Sequence, residues 1–241
     1  AGLDVDVFTP DEAGISRHPA FFPGREYRNR PDVVGTLKGS GGGRSLIFSG
    51  HADTVPGGSA GWTDHPFSGL VRDGRLYGRG SFDMKGGLAA ALLAVAILKR
   101  ERIPLRGDVL VESVVDEEFA GGHGTLASRL RGHRTAAAVV PENSGMAVYH
   151  MHRGLWLVRL TVRGTCGIDF TGSAADLDNP LEHLGRLIGW VVEYRKIRRA
   201  NAIVPAAYRH LAEPSPVLIT RAGAGVFDDT APIAVPDAAT V

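Results

Sequence analysis

Residues 45–58 read SLIFSGHADTVPGG, and residues 61–85 read GWTDHPFSGLVRDGRLYGRGSFDMK. The apolar run Leu46, Ile47, Phe48 stops at Gly50 and delivers His51, Ala52 and Asp53. Side chains alternate faces along an extended chain, so His51 and Asp53 point the same way if residues 50–54 stay extended. That arrangement suits an imidazole that binds a metal through one ring nitrogen while a carboxylate holds the other. Downstream, Gly78, Arg79 and Gly80 lead to Asp83 at the mouth of a long apolar helix. Two sets of metal-type ligands therefore sit at the ends of two regular elements.

Working outward, residues 3–8 alternate apolar and acidic side chains as a strand does. Residues 9–31 read as loop, and residues 33–37 as a short strand. The glycine tract GSGGGR at 39–44 reads as a hairpin turn into the strand that carries His51. It is not a phosphate loop, because it has no GK[ST] ending and precedes a strand. Residues 84–99 form a helix whose apolar positions, Leu88, Leu92, Leu93, Val95 and Ile97 among them, predict burial all round. Asp83 would stand at its N-terminus, where a carboxylate is favoured.

Strands are expected at 109–115 and 136–140, the second buried, with a short helix at 125–130 between them. Asp116, Glu117 and Glu118 follow the first strand and Glu142 the second. Possible strands cover 146–150, 155–162, 217–220 and 233–235, and an amphipathic helix covers 180–197. Strand–helix alternation predicts an α/β fold: a mostly parallel-sheet catalytic domain, residues 1–153, with helices on both faces. Residues 154–241 read as a partial, smaller α+β domain. His51, the Glu117–Glu118 pair and Glu142 all follow the carboxyl ends of apolar strands, where open α/β sheets bind ligands.

The chain has 241 residues, 44% hydrophobic, with a formal net charge of +1. Near-neutral charge argues against a nucleic-acid or membrane-surface protein. The apolar stretch 88–98 is shorter than a bilayer span. The single cysteine, Cys166, excludes an internal disulfide framework and suits a reducing cytoplasm. Both ends read as cut rather than natural, and the isolated segment is expected to expose apolar surface.

One imidazole among carboxylates (His51, Asp83, Glu118, Glu142) suits zinc, cobalt or manganese. Three acids and a histidine are many for one catalytic ion. They fit better around two ions bridged by Asp83, with a water between them made acidic. Glu117 neighbours the ligands and is the candidate general base. Each has a plainer reading: His51 as a turn residue, Asp83 as a helix cap, the acidic pair as a solvated turn, Glu142 as a common post-strand glutamate. The basic run at 195–199 reads as a solvated helix end.

HADTVP, the W-x-x-x-PF-x-G segment, DGRLYGRGSFDMKGG, the DEE triplet before Gly121–Gly122, and Glu142 ahead of an HRG turn together resemble one family. It is the di-zinc amidohydrolases: acetylornithine deacetylase, succinyl-diaminopimelate desuccinylase, aminoacylase and glutamate carboxypeptidase. The resemblance is dense over residues 33–154 and loose beyond. It implies cleavage of the amide bond of N-acyl amino acids or small peptides. His51, Asp83 and Glu142 would hold one zinc; Asp83 and Glu118 would hold the second. Glu117 would be the acid/base and Asp53 would orient His51. The remainder would be the start of a lid through which such enzymes form homodimers.

Three departures stand out. The family completes its second zinc site with a late histidine that these residues do not include, so that site is expected to be under-ligated here. Ile168 stands where the family often has a lid histidine, and Asn143 where proline is usual after the glutamate. His123 and His152 are weaker candidates for the second site. The rival expectation is a catalytically incomplete relative that binds metal or dimerises.

Overall fold

The computed structural model describes residues 2–22, 27–58, 61–156, 158–165, 178–224 and 238–240. The chain divides into two compact units, Ala1–His152 and Arg153–Val241.

The first unit is built on a five-stranded sheet in the order β1-β2-β6-β3-β7. Its strands are β1 (Asp4–Phe8), β2 (Asp32–Leu37), β3 (Leu46–His51), β6 (Val109–Val114) and β7 (Ala137–Val139). A separate hairpin joins β4 (Leu70–Arg72) to β5 (Arg75–Tyr77). The helices are α1 (Glu12–Ile15), α2 (Gly86–Arg100) and α3 (Ala127–Arg131). The fold is α/β, but the sheet is mixed rather than mostly parallel. β1–β2 and β2–β6 run antiparallel, and β6–β3 and β3–β7 run parallel.

The glycine tract does not close a hairpin, because β6 lies between β2 and β3. The chain must pass the entrance of β6 instead. Ser40 and Gly41 donate to the carbonyls of Leu105 and Arg106 at 2.8 and 2.9 Å. A Cβ on Gly43 would stand 2.5 Å from the Gly107 nitrogen. The glycines are there for close passage under another backbone, a use distinct from turning.

From β3 the chain crosses through α2 to β6, and from β6 through α3 to β7 on the far side of β3. Parallel crossovers are right-handed, so steps in opposite directions along the sheet put their helices on opposite faces. The core divides accordingly. Leu88, Ala91 and Val95 of α2 pack with Val109 and Val111. Ala127 of α3 and Ile15 of α1 pack with Val34, Ile47 and Leu110.

Several expectations need correction. The stretch 84–99 is not buried all round: Leu92, Leu93 and Ile97 are exposed, because one sheet covers only one stripe of the helix. Asp83 is not a helix cap; it is extended (φ −115°, ψ 98°), and α2 begins at Gly86. By length and composition alone Ser81–Arg100 would pass as a membrane span, yet its Leu88–Ala91–Val95 stripe lies against the sheet. β7 is an exposed edge strand, not a buried one. Residues 146–150 and 217–220 form no strand.

In the second unit, β10 (Ala238–Thr240) pairs antiparallel with both β8 (Thr161–Arg163) and β9 (Gly223–Ala224). The strand expected at 155–162 is thus reduced to its end and shifted. Helix α4 (Pro180–Asn201) starts with Asn179, whose side chain accepts the Leu181 N–H at 3.0 Å, and with Pro180 in the first turn. Both are helix-starting features. The expected strand at 233–235, Cys166 and Ile168 lie outside the described residues.

Candidate metal centre

The site forms where β3 and β6 end side by side. His51 pairs with Val114, and the Ala52 N–H donates to the Val114 carbonyl at 2.8 Å. The helices that follow these two strands lie on opposite faces, so a crevice opens between their carboxyl ends.

Three segments deliver the Glu117 turn, Asp83 and Glu142. After β6, Asp116 adopts φ 69° and its carbonyl accepts the N–H of Phe119 and Gly121. This folds Glu117–Phe119 into a single 3₁₀ turn. The Asp116 carboxylate is buried and receives the Tyr27 hydroxyl and the His123 N–H. Asp83 comes from the extended step before α2. Glu142 comes from the segment after β7, whose path is fixed by close contact: a Cβ on Gly87 would stand 1.8 Å from the Pro141 carbonyl oxygen. The first turn of α2 thus presses on the residue preceding Glu142.

His51 is fully buried. Its Nε2 lies 3.2 Å from Asp83 Oδ1, 3.5 Å from Glu142 Oε1 and 3.6 Å from Glu117 Oε2. Its Nδ1 lies 3.0 Å from the Asp53 carbonyl and 3.4 Å from Asp53 Oδ1. With Nδ1 held by Asp53, Nε2 faces the three acids, to which it donates when protonated and among which its lone pair could bind an ion. One ligand atom each from His51, Asp83 and Glu142 falls within 4.8 Å of the others. Asp53 also accepts the N–H groups of Glu117 and Glu118, each at 3.2 Å. One carboxylate therefore positions both the imidazole and the turn bearing the two glutamates. Glu118 stands apart from the group of three: its Oε1 accepts the Val55 N–H at 3.1 Å.

The electrostatics suit a cation. Burial pulls the His51 pKa down, but Asp53 and Glu117 outweigh it and leave it raised to about 9. Burial first, and then neighbouring carboxylates, raise Glu117 and Glu142, against the opposing pull of His51. Asp53 stays lowered, because its bonds to His51 and to the Glu118 and Glu117 N–H groups outweigh burial. A divalent ion among these groups would relieve the repulsion, and one imidazole with two carboxylates is a donor set for zinc, cobalt or manganese.

A family profile described as Peptidase family M20/M25/M40 matches residues 47–220. The chain belongs to this peptidase family. Its relatives include a succinyl-diaminopimelate desuccinylase of Methylobacterium radiotolerans, 35% identical over 198 residues, covering 77% of this chain and 49% of the relative. An N-formyl-4-amino-5-aminomethyl-2-methylpyrimidine deformylase of Bacillus subtilis is 39% identical over 125 residues, covering 51% and 29%. The chain therefore spans about half or less of the length of these curated relatives. Human carnosine dipeptidase 1 has the same fold at TM-score 0.53 and 16% identity, covering 98% of this chain and 59% of the other. A family M20 metallo-carboxypeptidase of Sulfolobus solfataricus matches at TM-score 0.52 and 17% identity, covering 87% and 58%.

In this crevice the structure gathers His51, Asp53, Asp83, Glu117 and Glu142, with Glu118 at the margin. His123 is not part of it. Its ring packs on Tyr27 and Phe21, 3.4 Å from Asp116 and 3.7 Å from Glu12. His152 is exposed. Sequence reasoning did not single out Asp116 as the post of the 117–119 turn, or Gly87 as the contact that places Glu142. The signal for Asp116 was available as the first member of the acidic triplet; that for Gly87 was not, since it depends on a contact 54 positions away in the chain.

Proposed function

We propose that this chain carries the metal centre of a hydrolase that cleaves the amide bond of N-acyl amino acids or small peptides. The convergence of His51, Asp83, Glu142 and Glu117 on one crevice carries this reading. The desuccinylase and deformylase relatives favour an acyl-amide substrate; a peptidase acting on longer chains is the near alternative.

His51, Asp83 and Glu142 would hold one ion, preferably zinc, and Asp83 would bridge to a second held with Glu118. When bound, such ions make water a nucleophile at neutral pH and polarise a carbonyl oxygen. The rest falls to the side chains. Glu117 Oε2 takes the proton of the attacking water and returns it to the leaving nitrogen, a role that burial favours by raising its pKa. Asp53 holds His51 in one tautomer and keeps the Glu117 turn in register.

A stripe of exposed Trp190, Tyr194 and Ile197 on α4, spaced i, i+4, i+7, supports a homodimer through the second unit. The single cysteine supports a cytoplasmic location. The place of Glu118, turned to Val55, favours a second reading in which this segment binds one ion without turning over substrate.

The test is hydrolysis of acylated amino acids and dipeptides by the protein, with and without chelator. The proposal expects turnover that chelation abolishes and zinc restores. Turnover indifferent to chelation would remove it.

A further inference from the structure

The turn Glu117–Phe119 is bracketed by two non-glycine residues in the left-handed region, Asp116 at φ 69° and Ala120 at φ 87°. An aspartate enters that region with some ease, because its short side chain bonds locally; an alanine does not. Backbone of this kind persists where its surroundings hold it. Here the holding groups converge on Asp116. Its carbonyl accepts the N–H of Phe119 at 3.2 Å and that of Gly121 at 2.7 Å. Its carboxylate is wholly buried; one oxygen accepts the Tyr27 hydroxyl, from 89 positions away in the chain, and the other accepts the His123 N–H at 3.0 Å. The His123 ring closes over the same carboxylate, with Nδ1 3.4 Å from Oδ2. That ring packs on Tyr27 and Phe21, with centroids 4.4 and 5.4 Å away. The backbone on either side of it has little room to shift. A Cβ on Gly122 would stand 2.9 Å from the Phe22 carbonyl oxygen, and one on Gly124 1.9 Å from the Val115 carbonyl oxygen.

A buried carboxylate with a donor on each oxygen and an imidazole packed against it is a rigid post. Turning it breaks both bonds. The left-handed steps at Asp116 and Ala120 can then relax, and Glu117 Oε2 leaves its place 3.6 Å from His51 Nε2. We propose that Tyr27 and His123 are positioning residues for Glu117: by fixing the Asp116 carboxylate they hold a strained turn that aims the base into the crevice. Its consequence for catalysis rests on the hydrolase reading above; the holding of the turn does not. Both residues act through Asp116, outside the group of metal-type ligands, so their loss falls on the rate and much less on metal affinity.

The experiment compares Tyr27→Phe, which keeps the ring and drops the hydroxyl, with His123→Leu, which drops the ring nitrogens and keeps the backbone N–H. Three quantities are read: hydrolysis of an acylated amino acid by the zinc-loaded protein, zinc affinity by calorimetric titration, and amide hydrogen exchange by nuclear magnetic resonance. In each variant kcat is expected to fall about 10–100-fold, the effect of a misplaced reacting group, with KM and zinc affinity little changed. Added to Glu117→Gln, Tyr27→Phe should cost nothing further, because the two residues act as one unit. The Glu117, Glu118 and Gly121 amides should exchange about tenfold faster or more, while those of Val109–Val114 keep their rates. Unchanged exchange at the turn in both variants overturns the proposal, and so does exchange that quickens equally in that strand, which marks lost stability alone. Unchanged kcat in both variants, or an equal loss with and without Glu117→Gln, overturns it as well. Faster exchange confined to the turn, in a protein that hydrolyses no acyl-amide, supports the held turn while removing the hydrolase reading, so the two failures are distinguishable.

Discussion

At the scale of single residues, Asp53 and Glu117 divide the work. Glu117→Gln keeps the size of the side chain but cannot accept a proton. The kcat should fall by about 10²–10⁴ with KM little changed, the usual worth of a general base. Unchanged turnover would remove Glu117 from that role. Asp53→Asn should act on metal affinity as well, weakening it about 10–100-fold, because the residue acts through His51.

Asp32 offers a test of stability instead of catalysis. It is fully buried, accepts the Val115 N–H at 2.9 Å, and leaves its Oδ2 without a partner. Burial, with the charges of Glu112, Asp116 and Asp53, raises its pKa to about 7 against the opposing pull of that N–H. The folded protein therefore holds a proton there that the unfolded chain releases above pH 3.8. Stability should fall as pH rises from about 4 to about 7, by up to ~4 kcal/mol, and flatten above. Asp32→Asn removes the charge and keeps the acceptor, so its denaturation midpoint should lose that slope. An identical slope in both proteins would refute the assignment.

At the scale of elements, the close packing of α2 against the segment after β7 is the sensitive joint. Gly87→Ala places a methyl where the Pro141 carbonyl stands, so Glu142 must move. Zinc affinity should drop about tenfold or more while β-sheet signal persists; undiminished affinity would show that Glu142 is not held this way. The same helix separates burial from mere apolarity. Leu88→Ala should cost about 2–5 kcal/mol in chemical denaturation, and Leu93→Ala within about 0.5 kcal/mol.

That contrast marks what was legible. His51, Glu117 and Glu142 could be read as candidates because chemistry-bearing residues followed apolar runs at strand ends, where α/β crevices lie, and Asp83 because it stood at the start of the apolar helix stretch. The exposure of Leu92 and Leu93 could not, because a helix apolar on all sides shows no preferred face. Nor could the strand order. GSGGGR has the composition of a hairpin turn, and nothing within it shows that residues 109–114 will enter between its flanking strands. The antiparallel half of the sheet went unread for the same reason. The place of Glu118 depended on a local detail, the 3₁₀ turn at Glu117–Phe119 and the Val55 N–H that its Oε1 accepts.

At the scale of the whole molecule, two compact units share one chain, and the first holds every residue assigned to chemistry. A cation that binds only the folded form stabilises it in proportion to the logarithm of its concentration over the dissociation constant. Zinc should therefore raise the melting temperature of the first unit's transition and chelator should lower it, with the protein otherwise unchanged.

The central claim is that His51, Asp83 and Glu142 together hold a divalent ion, and calorimetric titration of zinc into the chelator-treated chain tests it most directly. The expected result is saturable binding that weakens at least about tenfold in each of His51→Ala, Asp83→Ala and Glu142→Ala, the three variants remaining folded by far-ultraviolet circular dichroism. Zinc binding that survives undiminished in all three would contradict it.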